Sequence, residues 1–332
     1  MSGVRLRTSW LVAAALLIVA AVTLTLGIPR SARAQDDIGI ITHLTDPRSV
    51  ALLRGANVRH AKTTLYWARW ETDSAYRSDF AAGIARLAGA QLELTVVVHA
   101  PPAAVARYAD RRLAYARFAD FMGARAAQFP AVRNWQLWNE ADAPGWTELF
   151  GAGRVPMHEQ GRLYGQMLAL ASPRIRKASP KARVVISGLA GPEDSIGVFL
   201  QGIYDARGPF DVVAVHAYGP PVWKAARDRA AVVRAVMRAG GDERPLWLTE
   251  FGISDAVMQQ LWRIGSRDAR DRRQADEWRE LAEWNDRAGG FDRLVGYALI
   301  DEAQIGYGIV DPDGTRVRPA YRWLKERNAT AR

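Results

Sequence analysis

The chain has 332 residues, room for one large barrel or two ordinary domains, with 49% apolar and 24% charged residues and a formal charge of +10. That balance belongs to a globular protein and excludes a disordered one. The absence of cysteine excludes disulfides, a thiolate zinc site, a cysteine nucleophile and a lipid-modified N-terminal cysteine.

The N-terminus carries Arg5 and Arg7, then an apolar run from Trp10 to Ile28, a break at Pro29-Arg30 and Ala32-Arg33-Ala34. A positive region, an apolar region and a small-x-small pattern predict a secretory signal over residues 1–34, or a membrane anchor if the segment stays uncleaved. Only in that second case is a membrane partner expected. These residues hold four arginines and no acid, so residues 35–332 are nearer +6 (41 basic against 35 acidic). Arg107, Arg111, Arg112, Arg117 and Arg125 stand among alanines and acids, as on solvated helix faces, and no nucleic-acid partner is expected.

From there strands and helices alternate. The sequence predicts a short strand at Ile38–Thr42, a helix at Pro47–Leu53 and a second strand at Val58–Tyr66. A helix over Asp79–Ala90 leads to a β-branched strand, Leu92–Val98. A helical stretch from Pro101 to Phe129 then precedes a strand at Val132–Trp138. After a loop at Ala141–Pro156, helices are predicted near Glu159–Lys177, Ser195–Ala206, Lys224–Ala239, Arg270–Arg287 and Ala320–Arg327. Strands fall between them at Arg183–Ile186, Asp211–His216, Leu246–Glu250 and Leu294–Ile300. Eight strands, most of them apolar throughout, separated by helices are the pattern of buried parallel strands, and they predict a single-domain (β/α)8 TIM barrel over residues 35–332. The rival, a doubly wound open sheet, wants a glycine-rich phosphate turn after the first strand, and Thr42-His-Leu-Thr-Asp-Pro47 has none.

In such a barrel, chemistry sits where strands end. The fourth predicted strand ends in Asn139-Glu140 and the seventh in Glu250, nearly opposite in the ring. Two carboxylates facing across one mouth equip a protein for glycoside hydrolysis, one acting as acid then base, the other attacking the sugar carbon. Other exits bring His43, Tyr66-Trp67, His99, His216 and Tyr218, and Asp301-Glu302. Asn139 has the right chemistry to donate to a sugar 2-hydroxyl. Trp67, Trp146, Trp223 and Trp262 follow strand exits or sit in loops, where rings can stack on pyranose faces. Asp301-Glu302 reads as an ion pair holding the last loop.

Trp138-Asn139-Glu140, His216-Ala217-Tyr218-Gly219 and Thr249-Glu250-Phe251-Gly252 resemble the retaining glycoside hydrolases of clan A, closest in flavour to family 39 or family 5. The resemblance extends to Gly308-Ile-Val-Asp-Pro-Asp-Gly314 and Pro319-Ala-Tyr321. It implies that Glu140 is the acid/base, Glu250 the nucleophile and Asn139 the 2-hydroxyl partner, with His216 and Tyr218 lining the site. It implies no metal and no cofactor, and a carbohydrate polymer or oligosaccharide as partner. Two positions depart from the group. Its strand-two arginine is replaced here by Lys62 or Arg59, of which spacing favours Lys62; its strand-eight platform tryptophan is replaced by Leu299-Ile300.

The expected protein is therefore a secreted retaining β-glycoside hydrolase acting within a polysaccharide. One alternative, suggested by the two departures, is a catalytically silent polysaccharide-binding barrel. Another is a metal-dependent hydrolase built on His43, His99 and His216.

Overall fold

The computed structural model describes residues 37–44, 46–106, 110–143, 155–302 and 305–331, all within one compact unit, Gln35–Arg332. The expected leader, residues 1–34, lies outside the described residues, as does Trp146. Among the described residues no helix is long and apolar enough to cross a membrane.

Eight strands form: β1 Gly39–Ile41, β2 His60–Tyr66, β3 Glu93–His99, β4 Val132–Leu137, β5 Arg183–Val185, β6 Val213–Tyr218, β7 Leu246–Gly252 and β8 Arg293–Gly296. They lie in the order β5-β4-β3-β2-β1-β8-β7-β6, each pair parallel. The remaining gap, between β5 and β6, is spanned by isolated parallel bridges, Val185 with Val212 and Leu189 with Val215. The predicted (β/α)8 barrel is the observed fold. Most of its strands are largely apolar because helices cover the outer face while side chains fill the interior, whereas β2 and β4 also bury His60, Lys62, Thr63, Asn134 and Gln136.

The helices are α1 Ser49–Gly55, α2 Trp67–Thr72, α3 Ser74–Gly89, α4 Ala103–Ala106, α5 Arg111–Gln128, α6 Met157–Ala178, α7 Glu193–Asp205, α8 Val222–Ala239, α9 Asp255–Trp262, α10 Arg267–Ala288 and α11 Pro319–Thr330. Several start on side-chain caps that satisfy orphan amides: Asp73 accepts from Tyr76, Asp110 from Arg112 and Ser254 from Val257. α6 and α7 approach so closely that a Cβ on Gly161 would lie 2.0 Å from the Phe199 carbonyl oxygen, and only glycine fits there.

The N-terminal end of the barrel is closed by charge. Glu93 accepts from Arg183 at 2.7 Å, from Arg293 at 2.7 and 2.9 Å and from Asn134 at 2.9 Å. The same two guanidiniums lie 4.9 and 4.5 Å from the centre of the Trp247 ring. Burial pushes the Glu93 carboxyl up, but the hydrogen bonds and charge of Arg293, with Asn134, outweigh it and hold it at about 2. This floor leaves the other end of the barrel as the open one.

Three elements differ from expectation. The short helices α2 and α9, directly after β2 and β7, were not predicted. β8 ends at Gly296 instead of running on to Ile300. The apolar residues beyond it are buried by other pairings: Leu299 donates to the Ile41 carbonyl at 2.8 Å and Ile300 bridges Val310. The residue at the strand-eight exit is therefore Tyr297, an aromatic, and Leu299-Ile300 lies further along.

Candidate active site

The site is built around an irregularity in β7. On β6, Val215 and His216 are consecutive; their partners on β7 are Leu248 and Glu250, so Thr249 is a surplus residue. The register with β8 slips over the same stretch, between Leu248 and Phe251. In a regular strand alternate residues face opposite sides, and one extra residue re-aims the side chains beyond it. Here the bulge brings Glu250 level with His216 at the open end of the barrel.

Glu250 is buried and each of its oxygens has a donor. The Lys62 ammonium, on β2 and 1% exposed, lies 2.9 Å from Oε1 and also donates to the Thr249 carbonyl at 3.2 Å. The Tyr218 hydroxyl donates to Oε2. Burial pushes the Glu250 carboxyl up, but the His216 imidazole, the Lys62 charge and the hydrogen bonds from Lys62 and Tyr218 outweigh it and hold it at about 2. Tyr218 moves the other way: burial first, then the charge and hydrogen bond of Glu250, raise its hydroxyl well above the usual range, so it keeps its proton. The choice between Lys62 and Arg59 is settled by position. Arg59 lies just before the strand, three residues ahead of Lys62, and donates instead to the Ala331 carbonyl at 2.8 Å.

Glu140 arrives from the far wall. β4 stops at Leu137, and Trp138 and Glu140 both take left-handed backbone, with φ of 74° and 49°. Non-glycine residues in that region carry strain of order 1–3 kcal/mol each, held in place by their surroundings. Here Trp138 is buried against Phe118, with ring centroids 5.7 Å apart. The Asn139 backbone bridges Gly188, the Ser187 hydroxyl accepts from Ala141 at 2.8 Å, and Asp142 accepts from Ala190 and Gly191 at 3.0 and 2.9 Å. The kinked strand end is thus tied to the exit of β5.

His216 joins the two acids. Its Nδ1 lies 2.9 Å from Glu140 Oε1 and 3.5 Å from Glu250 Oε2, and the ring is fully buried. Oxygens of Glu140 and Glu250 and the His216 nitrogen all lie within 4.8 Å of one another. Beneath the ring sits Gly188, whose Cβ, if present, would lie 1.9 Å from Nε2. Gly188→Ala should therefore push His216 off both carboxylates, and any turnover at this site should fall roughly a hundredfold in kcat/KM. An unchanged rate in that variant would show that the His216 position does not matter.

Further residues line the same opening. His99, at the end of β3, packs edge-on to Tyr66 with ring centroids 5.2 Å apart. Burial, with the Lys62 charge, lowers its pKa to about 4 against the pull of Glu250 and Glu140, so it is neutral at pH 7. Tyr218, Tyr297 and Tyr307 form an edge-to-face cluster with centroids 5.5–6.2 Å apart. Tyr297 and Tyr307 are the residues that the sequence reading missed. An aromatic directly after a glycine-terminated strand was the available signal for Tyr297.

Among the tryptophans, the expectation for Trp67 needs correction. Trp67 is fully buried in the wall, packed against Phe118 and Phe121 and donating to Glu71 at 2.8 Å, so it offers no face to a sugar. Trp223 is half-buried on the first turn of α8, with the Arg227 guanidinium 5.3 Å from its ring centre. Trp262, at the end of α9, is covered in the same way by Arg273 at 4.6 Å. The three histidines proposed for a metal do not converge: His43 sits 2.9 Å from Glu302, His99 against Tyr66 and His216 between the glutamates. Glu140, His216 and Glu250 could in distance hold a cation, but Lys62 already places a positive charge on Glu250 and Tyr218 takes its other oxygen. That donor set fits a charge-paired carboxylate better than a metal ligand.

No protein family and no curated protein matches the sequence. The fold does match solved structures. A β-glycosidase, BGL167, superposes with a TM-score of 0.63 at 17% identity over 86% of each chain. A family 1 β-glucosidase from Thermotoga maritima gives 0.62 at 13% over 86% of each chain. A glucosidase from Croceicoccus marinus gives 0.63 at 12% over 89% of this chain and 68% of that one. At these identities the likeness establishes the barrel. The family named among these neighbours is family 1, not 39 or 5.

Proposed function

We propose that this chain is a retaining β-glycoside hydrolase, and that it acts within polysaccharides. The carrying observation is the pair of carboxylates from opposite walls with oxygens within 4.8 Å, close to the separation of about 5–5.5 Å at which one acid attacks the anomeric carbon directly. An inverting pair stands further apart, to leave room for water. The neighbours' names, β-glycosidase and β-glucosidase, support the same reaction class.

Glu250, held ionised by Lys62, His216 and Tyr218, attacks the anomeric carbon from one side. Glu140 delivers a proton to the departing glycosidic oxygen. The C–O bond to the leaving group breaks as the bond to Glu250 forms, giving a glycosyl ester. Water then enters; Glu140 takes its proton, the water oxygen bonds to the anomeric carbon, and Glu250 leaves as carboxylate. His216 Nδ1 on Glu140 Oε1 fixes which oxygen is turned to the leaving group. Asn139, beside Glu140, is proposed to donate to the 2-hydroxyl, a contact that strengthens as the ring flattens.

The silent-barrel alternative drew on the altered positions at strands two and eight. Lys62 reaches Glu250, and Tyr297 occupies the strand-eight exit, so neither position is vacant. The leader-like residues Arg5, Arg7, Trp10–Ile28 and Ala32–Ala34 support the proposal that the enzyme is exported. The deciding experiment follows the anomeric proton by NMR during cleavage of a β-linked glycan. The first-formed product should be the β-anomer; an initial α-product would overturn the double displacement.

A further inference from the structure

The sequence predicts that the acidic pair Asp301-Glu302 holds the last loop, and the structure divides the pair. Asp301 is the buried anchor: Arg318 donates to it at 2.5 Å and the Gly308 amide at 3.1 Å. Glu302 faces outward, its side chain 38% exposed. Its Oε1 accepts from the Tyr297 hydroxyl at 3.0 Å and lies 2.9 Å from His43 Nε2. These groups come from adjacent exits, since β1 lies between β2 and β8 in the sheet. His43 follows β1, Tyr66 ends β2, and Tyr297 and Glu302 follow β8.

This patch shares a wall with the reacting acids. Tyr218, bonded to Glu250, lies edge-on to Tyr297, which is bonded to Glu302. Both Tyr66 and Tyr297 sense the charges of Glu302 and Glu250 together. In the ring of eight strands β8 stands opposite β4, so the patch lies across the mouth from Glu140. With the leaving group beside Glu140 and the anomeric carbon over Glu250, the far hydroxyls of the sugar ring extend toward this patch. A carboxylate has about four acceptor positions, and here a phenol and an imidazole stand beside it.

We propose that Glu302, with Tyr297 and His43, sets the glycone specificity of this site: it receives adjacent hydroxyls of a neutral sugar and turns away uronic acids. The proposal rests on the glycoside hydrolase reading above. The selection is electrostatic. A uronate would bring its carboxylate against the half-exposed Glu302, and like charges at close range repel, whereas Lys62 meets the charge of Glu250 and Glu140 holds its proton.

The test compares the full chain with Glu302→Gln on para-nitrophenyl β-glucoside and β-glucuronide. In the variant, kcat/KM for the glucoside should fall by about tenfold or more, and the glucoside-to-glucuronide preference should shrink by at least about tenfold. A fall equal for both glycones, with a lowered melting temperature, would show that Glu302 only braces the loop and would overturn the proposal. Calorimetric titration with glucose and glucuronate reads the same preference without turnover. A protein that hydrolyses neither glycoside nor any β-linked polysaccharide yet favours glucose, and loses that preference in Glu302→Gln, keeps this proposal and sinks the hydrolase reading. Equal binding of the two sugars by the unaltered protein sinks this proposal alone.

Discussion

Replacing Glu250 by alanine should lower kcat/KM on an activated aryl β-glycoside by roughly 10⁴-fold or more. The attacking group is then gone, and no other carboxylate among the described residues takes its place: Glu140 is committed to His216 and the leaving group, and Glu302 stands at the rim. The deletion leaves space beneath the anomeric carbon. Added azide should enter that space and restore part of the rate, giving an α-glycosyl azide, because a single displacement inverts the centre. The variant also strands the buried Lys62 ammonium, and breaking a buried ion pair costs about 3–5 kcal/mol. A lowered melting temperature should therefore accompany the lost activity. Full activity in Glu250→Ala would remove the nucleophile assignment.

Lys62→Met is expected to have the second largest effect. Methionine fills the slot without charge, so Glu250 keeps its burial but loses one of the groups that offset it. Removing an oriented charge at a reacting group costs roughly 10²–10³ in rate. The pH dependence carries the sharper signature. The Glu250 pKa, about 2, lies below the free value near 4.3, so its stabilising contacts are complete above that free value and fade as pH falls toward 2. Without Lys62 the acid limb of the rate profile should climb by roughly one to three pH units, and acid stability should fail at a correspondingly higher pH. A profile that keeps its acid limb would mean that His216 and Tyr218 alone set the Glu250 charge.

Much of this arrangement could be read from the residues. Buried parallel strands advertise themselves as continuous apolar runs, which is why eight were found in order and why Glu140 and Glu250 could be assigned to opposite walls. Spacing alone favours Lys62 over Arg59, and in the structure Lys62 reaches Glu250 while Arg59, just before β2, turns to the Ala331 carbonyl. What failed did so for physical reasons. Ala298-Leu299-Ile300 is as apolar as a strand, yet it is buried by cross-pairing to Ile41 and Val310, so the end of β8 was overrun and Tyr297 missed. Trp67 follows a strand exit, but the unpredicted helix α2 folds its ring back onto Phe118 and Phe121. The left-handed backbone at Trp138 and Glu140 has no signature in residue type, since both favour other conformations.

The surplus Thr249 has a consequence for anyone transplanting this chemistry. Thr-Glu-Phe-Gly grafted onto a flat, evenly spaced strand would preserve the motif while rotating the carboxylate half a turn, into the layer between barrel and helices. Its carbonyl would pair with a neighbouring strand and leave the lysine without an anchor. Shortening the stretch between Leu248 and Phe251 by one position should do the same to the native protein, without altering any residue of the catalytic set.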